Sequence, residues 1–341
     1  MLKYRKKEVG MKEELFGVLP DGREIYKYTL SSADISLSVI SFGAAIQSLS
    51  AFGVEIVGGF SDVFGYLSDD SHQGGTIGRV ANRIGGAEFE MDGRVYRLPK
   101  NDGDNCLHGG SGFDRRVWRL IDSGENFVTL GYTSPDGEEG FPGELSVQVS
   151  FRIVDSAVVI SYEARPTGKT PISLTNHAYF NLDGFGSDIL GHRIQIFADR
   201  YTATDEALIP TGERPEVRGT AMDLNSPTLI GEVIDEVGGF DHSYFLSGGS
   251  TTDRFGATTA LAAVADNGRL SLEVYTDRPC LQFYSGNFLG QGPNINGVPQ
   301  VKHGALCLEA QIEPNSVKSG EGIFRDGEVY RQTTVYNIRK I

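Results

Sequence analysis

The strongest constraint on this chain is a run in which apolar and polar side chains alternate without a break. Leu145, Val147, Val149, Phe151 and Ile153 are separated by Ser146, Gln148, Ser150 and Arg152. Residues two apart share one face of a strand, so residues 145–153 read as a strand with a single buried face. Asp155-Ser156 is a turn, and Val158, Ile160 and Tyr162 resume the alternation, which makes a hairpin. Asp92-Gly93 and Asn267-Gly268 are two-residue hairpin signals, and Asp21-Gly22 and Asp326-Gly327 lead into further strand-like runs. No long stretch carries apolar residues at i, i+3, i+4 and i+7; residues 63–67 read at most as a short helical turn. The 341 residues include 44 glycines, well above the typical share of ~7%. Many strands, tight turns and no helical layer predict an all-β fold, a large antiparallel sandwich or barrel. Parallel doubly wound folds are excluded. No GxGxxG follows a strand and opens a helix, and no GxxxxGK[ST] is present.

No change of composition marks a linker, so residues 11–341 read as one domain. Residues 1–10, MLKYRKKEVG, read as a dispensable basic extension, with Met11 an alternative start. That extension has no apolar stretch behind it and is not a secretory signal. The longest apolar run, residues 260–265, is too short to span a bilayer. Asp and Glu number 45 against 31 Lys and Arg, for a net charge of −14. A body this acidic repels nucleic-acid backbones and anionic membrane surfaces, so neither is an expected partner. Cys106, Cys280 and Cys307 are too widely spaced for a disulfide framework or zinc module. They read as reduced thiols of a cytoplasmic protein.

Few residues can carry chemistry. His108 precedes Gly109-Gly110, a pair that permits close backbone approach to a ligand; it reads equally well as a histidine satisfying turn carbonyls. In residues 172–182, a strand would put Ser173, Thr175, His177 and Tyr179 on one polar face. That face suits a ligand site or an ordinary solvent surface. Residues 305–312 form a near-continuous apolar run, which reads as an interior strand with Glu309 inside it. A lone carboxylate there is costly to bury unless paired; it is a candidate general base, or one half of a structural ion pair. Asn82, Arg83, Asp241 and Gln282, interleaved with aromatics, have the donors, acceptors and ring surfaces that sugar recognition requires. His108, His177, Asp241, His242 and Glu309 are potential metal ligands, but no HxH or HxxxH pair exists and no metal site is expected. A GxSxG elbow is absent.

Six segments in this order resemble the aldose 1-epimerase family: GRVANRI (78–84), NCLHGGSGFD (105–114) with Trp118, SLTNHAYFNLDG (173–184), GGFDHSYFL (238–246), LQFYSGNFL (281–289) and LCLEAQIEPNSV (306–317). The resemblance covers residues 14–341. It implies the galactose mutarotase-like supersandwich, an open sugar site, no metal and no organic cofactor. The implied reaction interconverts the α and β anomers of aldohexoses, galactose or glucose, with a small-molecule aldose as partner and a monomer or weak homodimer as the working unit. Carried over by position, Glu309 is the general base and His177 the general acid. His108 lies beside the anomeric or ring oxygen, and Asn82, Arg83, Asp241 and Gln282 bind hydroxyls. Carboxylates near His177 are expected to hold it protonated. The chain departs from the family at residues 30–34, at Asn315 and at Lys318, positions expected at the edge of the site and bearing on sugar preference. Three rival readings are a non-catalytic sugar-binding sandwich, a glycoside hydrolase or lyase pairing Glu309 with Asp241, and an epimerase of phosphorylated hexoses. The last would want more basic residues in the site.

Overall fold

The computed structural model describes residues 10–290, 292 and 294–341. Except for Gly10, the basic extension lies outside the described residues.

Three antiparallel sheets carry the architecture. A five-stranded meander runs Lys12–Val18, Glu24–Ser31, Ile35–Ile40, Ala45–Ala51 and Val54–Glu55. The largest sheet has ten strands, and at its centre the C-terminal strand Tyr330–Lys340 lies between Ala157–Pro166 and Leu270–Thr276. The end of the chain therefore joins two stretches of sheet that are distant in sequence. A four-stranded sheet runs Ala198–Tyr201, Asp241–Leu246, Cys280–Tyr284 and Cys307–Gln311. One core cluster takes Leu37, Ile46 and Leu49 from the first sheet, Val147, Val149 and Phe151 from the second, and Leu281, Phe283 and Leu308 from the third. Apolar faces from all three sheets thus share one interior, as a sandwich requires.

The expected hairpin is present. Leu145–Val154 pairs with Ala157–Pro166 in unbroken register, and Leu145, Val147, Val149, Phe151 and Ile153 are all buried. The helical turn at residues 63–67 is the helix Val63–Ser68, capped by Asp62, which accepts from the N–H groups of Phe64 and Gly65. A second helix, Ile230–Val237, was not expected: it buries only Ile230 and Ile234, too few turns for a periodic stripe to stand out. Among the described residues, no helix is long and apolar enough to cross a membrane.

Asp326-Gly327 leads into a strand as expected, Tyr330–Lys340 of the large sheet. Two expectations need correction. Residues 172–182 are not one strand with a polar face. Only Thr175–Asn176 pairs as a strand, with Thr76–Ile77, and the whole segment is buried. Cys307–Gln311 is interior in the sense that all five residues are buried, yet it is the terminal strand of its sheet.

Candidate active site

A cleft of about 430 Å3 opens where these pieces converge. Glu309 reaches it from the terminal strand of the four-stranded sheet. Leu308 and Ala310 point into the main core, and alternation turns Glu309 the other way. Across the next strand Glu309 is the register partner of Gln282, and Gln282 is the partner of Ser243.

His177 comes from the buried crossing segment. Its backbone N–H donates to Gly75 O (3.0 Å), and its carbonyl accepts from Gly74 N–H (2.9 Å). These bonds hold the imidazole with Nε2 3.6 Å from Glu309 Oε1. On the ring's other side, Nδ1 is 3.5 Å from the Cys307 Sγ. Burial pushes the Cys307 thiol well up, so it stays an S–H donor. Tyr179 lies against the His177 ring at 5.0 Å, and Tyr284 meets it edge-on at 6.5 Å.

Arg83 and His108 are fastened together by the short pairing of Arg83–Ile84 with Cys106–Leu107. Asn82, in the left-handed region at φ 62°, donates its backbone N–H to His108 Nδ1 (3.2 Å) and accepts from Arg83 N–H on its own Oδ1 (2.8 Å). Nδ1 of His108 is therefore an acceptor, and a neutral ring carries its proton on Nε2. Arg83 binds Asp102 through Nε (2.7 Å), and its Nη1 stands 3.8 Å from Asp241 Oδ2.

Glu309, His177, Asn82, Arg83, His108 and Asp241 all line the cleft. Gln282, expected among the sugar-binding groups, does not. Its Nε2 donates to Asp241 Oδ1 (2.7 Å), so it orients the carboxylate from behind. Asn315 and Lys318 are also absent from the lining. Both fasten Gly85, Asn315 Oδ1 accepting from its N–H (3.0 Å) and Lys318 Nζ donating to its carbonyl (2.6 Å). They buttress the Asn82-Arg83 segment rather than touch a ligand. Arg79, in the same motif, is buried away from the cleft and donates to the carbonyls of Pro142 (2.8 Å) and Gly143 (2.7 Å).

Reading the sequence did not single out His72, Tyr284 or Phe288, which also line the cleft. The two aromatics sat inside a quoted motif, and their chemistry gave the only available signal. His72 gave none, because its partner Asp114 is distant in sequence.

Electrostatics reverse one expectation. Burial, then the charge of His72, pushes His177 down to about 3. Burial, then Asp241, pushes Glu309 well above the usual carboxylate range, with Arg83 opposing. Carboxylates do not hold His177 protonated, because both partners have lost their water and the neutral pair is the better-tolerated state. Burial also raises Asp241 against the pull of Arg83. Among the described residues no group of three or more His, Cys, Asp or Glu is placed to hold a metal ion.

Fold and cleft together define a β-sandwich whose sugar-sized site is lined by the buried carboxyl–imidazole pair of Glu309 and His177. The chain belongs to the aldose 1-epimerase family, which it matches over residues 26–337. It is similar to the galactose mutarotase of Mus musculus, 41% identical over 342 residues covering 96% of this chain and 98% of that one. Similarity to the galactose mutarotase of Homo sapiens is 41% over 336 residues (94% and 96% of the two chains). The aldose 1-epimerase of Escherichia coli K12 is 35% identical over 345 residues (96% and 99%). Among solved structures, a galactose 1-epimerase from Lactobacillus acidophilus superposes with a TM-score of 0.86 at 25% identity, covering 98% of this chain and 99% of that one. An aldose epimerase homologue from C. elegans shares the fold, with a TM-score of 0.84 at 23% identity over 92% and 98% of the chains.

Proposed function

We propose that this protein is an aldose 1-epimerase that interconverts the α and β anomers of galactose or glucose, with Glu309 and His177 as the proton-transfer pair and residues 11–341 acting as one domain. The observation that carries this reading is the 3.6 Å approach of two buried titratable groups inside a sugar-sized cleft. Glu309 takes the proton of the C1 hydroxyl while His177 delivers one to the ring oxygen. The C1–O5 bond breaks and leaves an open-chain aldehyde. Rotation about C1–C2 turns the other face of the aldehyde to O5, and reversal of both transfers closes the opposite anomer. Each transfer group contributes typically ~10²–10⁴-fold.

The pair holds one proton throughout. Ring opening converts carboxylate and imidazolium into carboxylic acid and imidazole, the neutral state that burial favours. Desolvation thus lowers the cost of reaching the open-chain sugar. Hydrogen bonds from the sugar to Glu309, and from His177 to O5, compensate the ionic state before it. Arg83, Asn82 and Asp241 anchor hydroxyls, His108 presents its Nε2 proton, and Tyr179, Tyr284 and Phe288 offer ring surface to the sugar's C–H face.

A phosphorylated substrate is disfavoured. Arg83 is the one Lys or Arg among the described cleft-lining residues, against the acids Asp69, Asp70, Asp241 and Glu309. A purely sugar-binding module has no use for a buried acid–base pair. The three cysteines are free and buried, which suits work in the cytoplasm. Polarimetry of freshly dissolved α-D-galactose and α-D-glucose, with and without the protein, tests the reading. Faster approach to equilibrium is expected, and no acceleration with either sugar would refute it.

A further inference from the structure

His72 lines the cleft but takes no part in the proton transfers or the anchoring by Arg83, Asn82 and Asp241. Its backbone sits in the left-handed region at φ 60°, uncommon for a residue other than glycine, and a bond from Gly75 N–H to its carbonyl (3.0 Å) closes the turn. Its Nδ1 is 2.8 Å from Asp114 Oδ2, and Asp114 is itself buried with a second contact from Arg115 Nε (3.2 Å). A buried carboxylate on Nδ1 fixes that nitrogen as the protonated one and locks the ring's orientation. Nε2 remains, with no protein partner among the described residues. The His72 ring lies 4.7 Å from that of His108 and 6.0 Å from that of His177. An aspartate–histidine pair built into the wall, with a free nitrogen on a residue that lines the cleft, is arranged to hold a ligand's hydroxyl.

Its place along the wall indicates which hydroxyl. Glu309 Oε1 stands 3.6 Å from His177 Nε2, while the ring contacts of His72 are with His177 and His108. His72 therefore borders His177, and no contact among the described residues joins it to Glu309. With O1 at Glu309 and the ring oxygen at His177, the next atom round the pyranose, away from C1, is C5. In a hexose C5 carries the CH2OH group.

We propose that His72, held by Asp114, is a specificity-determining residue that hydrogen-bonds the C6 hydroxyl of an aldohexose through Nε2; this rests on the aldose 1-epimerase reading above. A site built to bond a hydroxyl discriminates against the analogue that lacks it, because its own polar atom is then left unpaired. Galactose should be preferred over 6-deoxygalactose, and hexoses over pentoses.

The test compares kcat/KM for galactose and 6-deoxygalactose in the wild type, in His72→Asn and in Asp114→Asn. Asparagine tolerates the left-handed backbone and keeps a donor for Asp114 where Nδ1 stood, but has nothing at the position of Nε2. The wild type is expected to prefer galactose by about tenfold or more. His72→Asn should bring that ratio near one, chiefly by losing activity on galactose, with 6-deoxygalactose turned over much as before. Asp114→Asn, which loosens the ring, should lower the ratio too, and it carries the test if His72→Asn does not fold. A purely structural His72 would leave the ratio unchanged in any variant that folds. A wild type indifferent to the C6 hydroxyl, or a variant ratio equal to the wild type's, overturns the proposal. Absence of mutarotation of either sugar by the wild type would instead overturn the proposed function.

Discussion

Nε2 of His177 lies 3.6 Å from Oε1 of Glu309, and neither side chain is more than marginally exposed. Two titratable groups at that distance and depth titrate as a unit, so the protonation of the pair, not of either residue, governs activity.

The first prediction follows from the directions of the two shifts. Ordinary values would have Glu309 set the acid limb of a pH profile and His177 the alkaline limb. Here His177 is lowered to about 3 and Glu309 is raised well above its usual range. As pH rises, the pair loses its first proton from His177 and its second from Glu309. The reactive one-proton form therefore spans neutral pH, and kcat/KM should be flat there, falling toward about 3 and again on the alkaline side. In His177→Gln the acid limb should vanish from the residual activity. A narrow bell bounded by ordinary carboxylate and imidazole values would contradict this.

The sugar anchor should act through binding. Arg83 pairs with Asp102 and approaches Asp241, geometry suited to holding hydroxyls rather than exchanging protons. Losing a bond to a charged group costs roughly 1.5–3 kcal/mol. Arg83→Ala should therefore lower kcat/KM by about one to two orders of magnitude, mainly through KM. Steady-state kinetics of a folded variant checks this, and an unchanged kcat/KM would remove Arg83 from the site.

Activity should persist in excess EDTA. The proposed transfers need only Glu309 and His177, and no described residues form a metal-binding group. Mutarotation lost on chelation and restored by a divalent ion would contradict a metal-free reaction.

Arg79 should matter for stability instead of turnover. Its guanidinium donates to Ser134, Thr170 and the carbonyls of Pro142 and Gly143, and among the described residues no carboxylate is bonded to it. Arg79→Met leaves those acceptors buried and unpaired, which should cost roughly 2–4 kcal/mol. Urea unfolding would reveal this, while the folded fraction keeps its kcat.

What could be read in the sequence follows from how locally it was encoded. The hairpin of residues 145–166 was legible because alternation marks the buried face along all of Leu145–Val154 and from Ile160 onward in its partner strand. Glu309 was legible for the same reason: Leu308 and Ala310 mark the core side of its strand. The segment around His177 was misread because it is buried on both sides and pairs over only two residues, so alternation there reports nothing about exposure. Gln282 was expected to bind hydroxyls, but its amide faces Asp241. The Asp114–His72 contact joins residues 42 positions apart, and no local pattern announces it.

The most direct measurement is the turnover of Glu309→Gln, followed by polarimetry on fresh α-D-galactose. Glutamine keeps the size and hydrogen-bonding shape of the side chain but cannot take the proton. A folded Glu309→Gln protein should lose roughly 10²–10⁴-fold in kcat while still binding sugar. His177→Gln should fall comparably, and the double variant should lose less than the two losses combined, because one shared proton serves both steps. A folded Glu309→Gln protein that turns over near the wild-type rate would contradict the pair as the proton-transfer machinery, even if the protein remained a mutarotase.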